Sequence, residues 1–288
     1  MCGQVGELSF EHVPPRAAFN NSLAIRCRGD EWLRDKRAMP WDVRGRHYQQ
    51  QQSGTGERSL CPKCNNDTGA WYAKDYAHFA ECVVQSLGTA DSDYIAGGRM
   101  LRVSFRDIYP LRIVKEIVAM FATVNGPAFH VAEPDLCALV LGRGRRGIDP
   151  ERYRLGVYVL SGTIRRWTGM SSLLYAGSNG SNDIRVVSEL SAVPCGFVLE
   201  CRPHGPEPRF LDITGFANQF TYDDTASFDA PVPVFENNTM LPLDYRTKGE
   251  IISDTGVDCR DMVGEGLRPE RKAEDEHGDD RNDKLAHP

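Results

Sequence analysis

The sequence predicts an α+β chain. Three observations carry that expectation. Residues 1–90 read as strand, loop, Cys-x-x-Cys knuckle and helix. Residues 91–258 carry two helical patterns followed by four strand-like runs, a mixed α/β order. Residues 259–288 are highly charged and almost without apolar side chains, which predicts a disordered tail because no core can be buried there.

The elements follow in order. "GELSFEHV" alternates enough for a short strand of a hairpin. Residues 16–60 read as a long irregular insert, and "YQQQQSGTGERSL" at its end as mobile loop. After "CPKC", Tyr72, Tyr76, Phe79, Val83 and Leu87 form an apolar stripe at helical spacing. Asn66 or Asp67 is the expected cap and Gly88 the stop. Residues 91–100 suit a linker or the first edge of the next unit. "RDIYPLRIVKEIVAMFATVNGP" is the best helix of the chain, with Val114, Ile117, Val118, Phe121 and Val124 on one face. "EPDLCALVLG" is a shorter one, opened by proline. "RLGVYVLSG", "DIRVVSEL", "CGFVLECRP" and "RFLDITGF" read as strands, with a turn at Asn179-Gly180.

Composition narrows the function classes. The 288 residues have room for two modest domains, or one with a tail. A net charge of -6 argues against a molecule drawn to nucleic acid over its whole surface. Residues 26–46 are locally basic, holding seven Lys/Arg against four Asp/Glu. Lys115 and Glu116 interrupt the longest apolar stretch, so no membrane helix is expected. The start lacks a basic-then-apolar signal pattern, which points to the cytoplasm. Nine cysteines, an odd number with no export signal, argue against a disulfide framework.

Three features carry chemistry. Cys61 and Cys64 in "CPKCNN" have the spacing that sets two thiolates on one side of a zinc knuckle. A redox dithiol or plain burial is the alternative. Glu11 and His12 are adjacent, an acid beside an imidazole, ahead of Val-Pro-Pro. Neighbours on a strand point to opposite faces, but a proline-forced bend at its end can bring both to one metal. Asn65 opens the helix, where its oxygen suits either a hard cation or an N-cap.

Together, "CG-x-x-GELSFEHVPPRAAF" and "SLCPKCNNDTGAWY" resemble the HNH nuclease family. The resemblance covers roughly residues 1–75. It implies a zinc-supported, treble-clef-like ββα-metal finger acting on DNA, with a long insert at about 16–60. Glu11 and Asn65 would hold the catalytic Mg²⁺ or Mn²⁺, and His12 would be the general base that activates water. Cys2, Cys61 and Cys64 would hold structural zinc. The central Asn of the family name has no clear counterpart before "SLCPKC", and the Lys that usually follows the last metal ligand is absent.

The family pairs two Cys-x-x-Cys units, so the partner of Cys2 would fall before Met1. Either an upstream start supplies it, or Cys27 or Cys82 substitutes, or zinc is lost. A non-catalytic zinc module that binds nucleic acid or protein is the rival reading. Arg34, Lys36, Arg37, Arg44 and Arg46, with Arg26 and Arg28, are the candidates for gripping a DNA backbone. "LGRGRRG" and "TIRRWTG" read as a charged turn and a solvated strand edge. His78 and Cys82, one turn apart, read as helix packing rather than a second metal pair.

Overall fold

The computed structural model describes residues 1–27, 47–89, 100–160, 166–176, 182–204 and 210–235. Strand β1 (Ser9–His12) pairs antiparallel with β4 (Gly56–Leu60), with Glu11 opposite Glu57 and His12 opposite Gly56. A Cβ at Gly56 would meet the Glu11 carbonyl oxygen at 2.1 Å and the Phe10 ring at 2.6 Å, so the position has no room for a side chain. Between these strands, β2 (Ala24–Cys27) and β3 (Tyr48–Gln51) form a second antiparallel pair. The glutamine run read as mobile loop is therefore strand. A ladder needs only backbone donors and acceptors, and an exposed strand face accepts glutamine.

Helix α1 (Pro62–Thr89) follows β4 directly. It starts earlier than the expected cap at Asn66 or Asp67, because Pro62 suits the first helical position, where no N–H is needed. Tyr72, Tyr76, Phe79 and Val83 are buried as the stripe predicts. Strand β5 (Met100–Ile108) alternates, sending Leu101, Val103 and Phe105 inward. It takes Arg106, Asp107 and Ile108 from the expected helix. Tyr109, extended ahead of a proline, separates strand from helix. Helix α2 (Pro110–Asn125) is buried on every side, Lys115 and Glu116 included. Two short helices, α3 (Pro127–Ala132) and α4 (Pro134–Leu141), each open on proline.

The remaining strands are β6 (Tyr153–Leu160), β7 (Trp167–Ala176), β8 (Asn182–Ala192), β9 (Cys195–Cys201), β10 (Leu211–Asp212) and β11 (Ala226–Phe235). A short helix, α5 (Phe216–Gln219), precedes β11. With β5 they form a seven-stranded sheet in the order β5-β11-β6-β9-β8-β7, with β10 also on β6. Every pairing is antiparallel except β11 with β6. The sequence reading missed β11, whose Pro231 and Pro233 argue against a central strand. Both prolines pair with β5 only. Contact with β6 begins at Val234, so the prolines' lack of an N–H leaves no gap in that ladder.

Alternation gives the sheet two apolar faces. Leu155, Val157, Val159, Phe197 and Leu199 join the large core with α1 and α2. Tyr158, Leu160, Val198 and Phe210 form a smaller cluster on the other face. The large core crosses the boundary expected near residue 90: Val13, Ala18, Tyr76 and Phe79 pack in it with Phe105 and Phe197. The Phe79 and Phe105 rings stack at 5.0 Å. The fold is α+β. No helix among the described residues is long and apolar enough to cross a membrane.

Candidate metal centre and active site

The β1–β4 hairpin and the first turn of α1 carry the predicted residues. Cys61 lies between β4 and α1, Cys64 lies in the first turn of α1, and Cys2 arrives from the segment before β1. Their sulfur atoms all lie within 4.8 Å of one another, with Cys2 and Cys61 Sγ 3.7 Å apart. The Cys64 N–H donates to Cys61 Sγ at 3.4 Å, so the sulfur serves as the helix cap that Asn66 or Asp67 was expected to supply. A helix N-terminus favours a thiolate there.

The three thiols are unequal. A hydrogen bond from the Gln4 backbone holds Cys2 below the usual thiol range, helped by the Cys64 and Cys61 thiols. Burial pushes Cys64 up to about 12, and the neighbouring sulfurs add to it. Three crowded sulfurs cannot all ionise without a cation between them, so this donor set can hold a metal ion.

Cys82, one expected substitute for the missing ligand, does not join them. It is buried in the main core, and at ~1.5 Å of rise per residue it lies roughly 27 Å along α1 from Cys64. The side chain of Cys27 lies outside the described residues. His78 is no partner to Cys82 either: its Nε2 meets the Arg106 carbonyl at 2.7 Å and its Nδ1 lies 3.8 Å from Glu81.

Glu11 and His12 leave β1 on opposite sides. Phe10 and His12 bring their rings edge to face at 5.0 Å. Glu11, between them in sequence, faces the other way. The expected bend does not bring acid and imidazole together. Among the described residues, the cysteine trio alone gathers three His, Cys, Asp or Glu donors.

His12 is half-buried, and its Nε2 lies 3.0 Å from the Ser53 carbonyl oxygen. A carbonyl only accepts, so Nε2 carries the proton and Nδ1 keeps the basic lone pair of the neutral ring. Glu11 is 8% exposed, and its Oε2 is buried with no hydrogen-bond partner. Burial pushes its carboxyl up to about 8. Asn65 donates from Nδ2 to the Phe10 carbonyl at 2.8 Å and to Ser9 Oγ at 3.0 Å, tying the helix start to β1. Its Oδ1 is the atom a cation would take.

Two site-shaping residues escaped the sequence reading. Asn20 is fully buried and donates to the carbonyls of Pro14 (2.6 Å) and Thr55 (2.8 Å). Its Oδ1 accepts from the Thr55 N–H at 2.7 Å, and Thr55 Oγ1 donates to the Val13 carbonyl. This clip holds the chain after β1 against the start of β4. The one legible signal was an asparagine in a loop, which is too common to single out. The second is Glu116 on α2, 1% exposed, whose Oε2 is also buried without a partner.

The basic candidates divide. Arg34, Lys36, Arg37, Arg44 and Arg46 lie outside the described residues. Arg26 pairs with Glu57 and sits over the Trp167 ring at 5.6 Å. Arg143, in "LGRGRRG", lies over the Tyr222 ring at 4.4 Å, and the carbonyls of Gly142 and Arg143 accept from Lys115 Nζ. No protein-family model, curated protein or solved structure matches this chain.

Proposed function

We propose that the chain is a metal-dependent HNH-type endonuclease acting on DNA, built on a zinc-supported ββα-metal finger formed by β1, β4 and α1. The observation that carries this reading is the assembly of Cys2 with Cys61 and Cys64 around the same hairpin and helix start that bear His12 and Asn65. The 3.7 Å separation of Cys2 and Cys61 Sγ supports zinc. Two thiolates about 2.3 Å from a tetrahedral ion are themselves about 3.8 Å apart.

His12 Nδ1 takes the proton of the attacking water, and Ser53 holds the ring in the tautomer this needs. Glu11 and Asn65 Oδ1 offer hard oxygens for Mg²⁺ or Mn²⁺. A divalent cation held there would supply charge stabilisation at the scissile phosphate and the departing 3′ oxygen. Glu11 and His12 need not touch the same ion, since the base acts on water rather than on metal. The basic stretch of residues 26–46 provides salt-sensitive backbone contacts to DNA.

The test is plasmid nicking by the full-length protein with Mn²⁺ or Mg²⁺. His12→Ala should abolish nicking with zinc content unchanged. Equal activity in wild type and His12→Ala refutes the nuclease assignment. One observation favours a non-catalytic zinc module instead: Glu11 is buried, as a structural acid would be. That reading predicts bound zinc, no nicking, and no effect of His12→Ala on any property but local stability.

A further inference from the structure

Glu116 is an acid in a place that ordinarily excludes one. It sits midway along α2, 1% exposed, in a helix that is buried on all sides. Burial raises its carboxyl well above the usual range, and Glu11 adds to that rise, so the two carboxyls lie close enough to repel. The fold brings the two elements near one another. Helix α2 packs on β4, and β4 is the hairpin partner of β1, which bears Glu11. Each acid keeps its Oε2 buried with no hydrogen-bond donor.

No cationic side chain among the described residues pairs with either acid. Lys115, adjacent on α2, reaches the Gly142 and Arg143 carbonyls at 2.6 and 2.8 Å. Arg58, the base within the hairpin, donates to the Leu8 carbonyl at 3.4 Å, and Arg26 on β2 pairs with Glu57. The two acids do not form a carboxyl–carboxyl hydrogen bond, as a proton-sharing dyad would. Ser59, two residues along β4 from Glu57, also keeps a buried hydroxyl without a partner. Holding both acids ionised in the core costs several kcal/mol unless a counter-charge or donors lie beside them.

We infer that Glu116 is the second carboxylate ligand of a hard divalent cation, held between it and Glu11 at the junction of the β1–β4 hairpin and α2. This rests on the assignment of Glu11 as a metal ligand and extends it to a residue outside the cysteine and histidine segment. One or two carboxylates with water in the remaining positions is the coordination that Mg²⁺ and Mn²⁺ take. Glu11, at 8% exposure, is the side from which the ion and its water enter.

The experiment is a titration of zinc-loaded, full-length protein with Mn²⁺ alone, read by electron paramagnetic resonance of the free ion. Wild type should bind one Mn²⁺. Glu116→Gln, nearly isosteric, should weaken binding more than about tenfold, as should Glu11→Gln. Glu116→Asp, which keeps the charge but retracts it, should fall between. Mn²⁺ should raise the melting temperature of wild type and not that of Glu116→Gln. A folded Glu116→Gln or Glu116→Asp that binds Mn²⁺ as wild type does overturns the inference, and so does a wild type that binds none. Plasmid nicking separates the two proposals. Lost Mn²⁺ binding in Glu116→Gln upholds the cation site even if wild type cuts no DNA. Undiminished nicking by Glu116→Gln, at wild-type Mn²⁺ dependence, removes Glu116 and leaves the nuclease standing.

Discussion

The sulfur atoms of Cys2 and Cys61 lie 3.7 Å apart, across 59 residues of sequence. That distance exceeds the ~2.05 Å of a disulfide, and Cys2 and Cys61 are both free. Cys64 completes the trio from the first turn of α1. With zinc in the proposed site, Cys64→Ser should therefore strip it and destabilise the chain by at least ~3 kcal/mol. Metal analysis of the purified variant, with its denaturant midpoint, checks this. A redox dithiol would instead leave the reduced protein metal-free at the outset.

His12 should respond to substitution in activity rather than in folding. Asparagine can keep a hydrogen bond to the Ser53 carbonyl but has no basic nitrogen. His12→Asn should melt within a few degrees of wild type and lose about 10²–10⁴ in nicking rate. Single-turnover plasmid assays beside a thermal melt make the comparison.

Asn20 should matter to stability more than its loop position suggests. Its amide serves the Pro14 and Thr55 carbonyls and the Thr55 N–H, all away from solvent. Asn20→Ala removes these three buried hydrogen bonds, although the Thr55 carbonyl keeps the Val13 N–H at 2.9 Å, at a cost of roughly 2–4 kcal/mol. Urea denaturation measures it. Hydrogen exchange should quicken at Thr55 and Val13 before it does at the centre of the large sheet.

The pH dependence has a definite sign in protein free of Mg²⁺ and Mn²⁺. An ordinary glutamate titrates near 4.5, and burial moves Glu11 to about 8. Between those values the unfolded chain has released a proton that the folded chain keeps. Stability is then highest at or below pH 4.5 as far as Glu11 is concerned, and falls as pH rises towards 8. Glu116 is shifted in the same direction. Glu11→Gln should flatten that fall, seen as a smaller change in melting temperature between pH 5 and 8.

Much of the local structure was legible because its causes are local. The Cys-x-x-Cys turn, the stripe from Tyr72 to Val83 and the apolar runs of β6 and β9 each declare themselves within a few residues. The strand status of Gln49–Gln51 was not legible, since it comes from pairing with Ala24–Arg26 rather than from propensity. Strand β11 hid behind two prolines that are tolerated because that length of β11 pairs on one side only. Gly196 faces Tyr158 across the ladder so closely that a Cβ would meet the ring at 2.0 Å, a requirement set by a residue far away in sequence.

The candidate site divides along the same line. The sequence by itself determined which groups are present: three cysteines that can meet, a histidine, an acid and a helix-opening asparagine. Tertiary structure decided how they act. It set Glu11 and His12 on opposite sides of β1, turned the Asn65 amide nitrogen toward β1, and ruled out Cys82 by its distance along α1. It also buried Glu116 on α2, where Glu11 adds to the rise of its carboxyl. A charge on a helix reads as solvated until packing shows what covers it, and α2 is covered from every side. Burial depends on the whole chain, so no window of sequence around Glu116 could have placed it in the core.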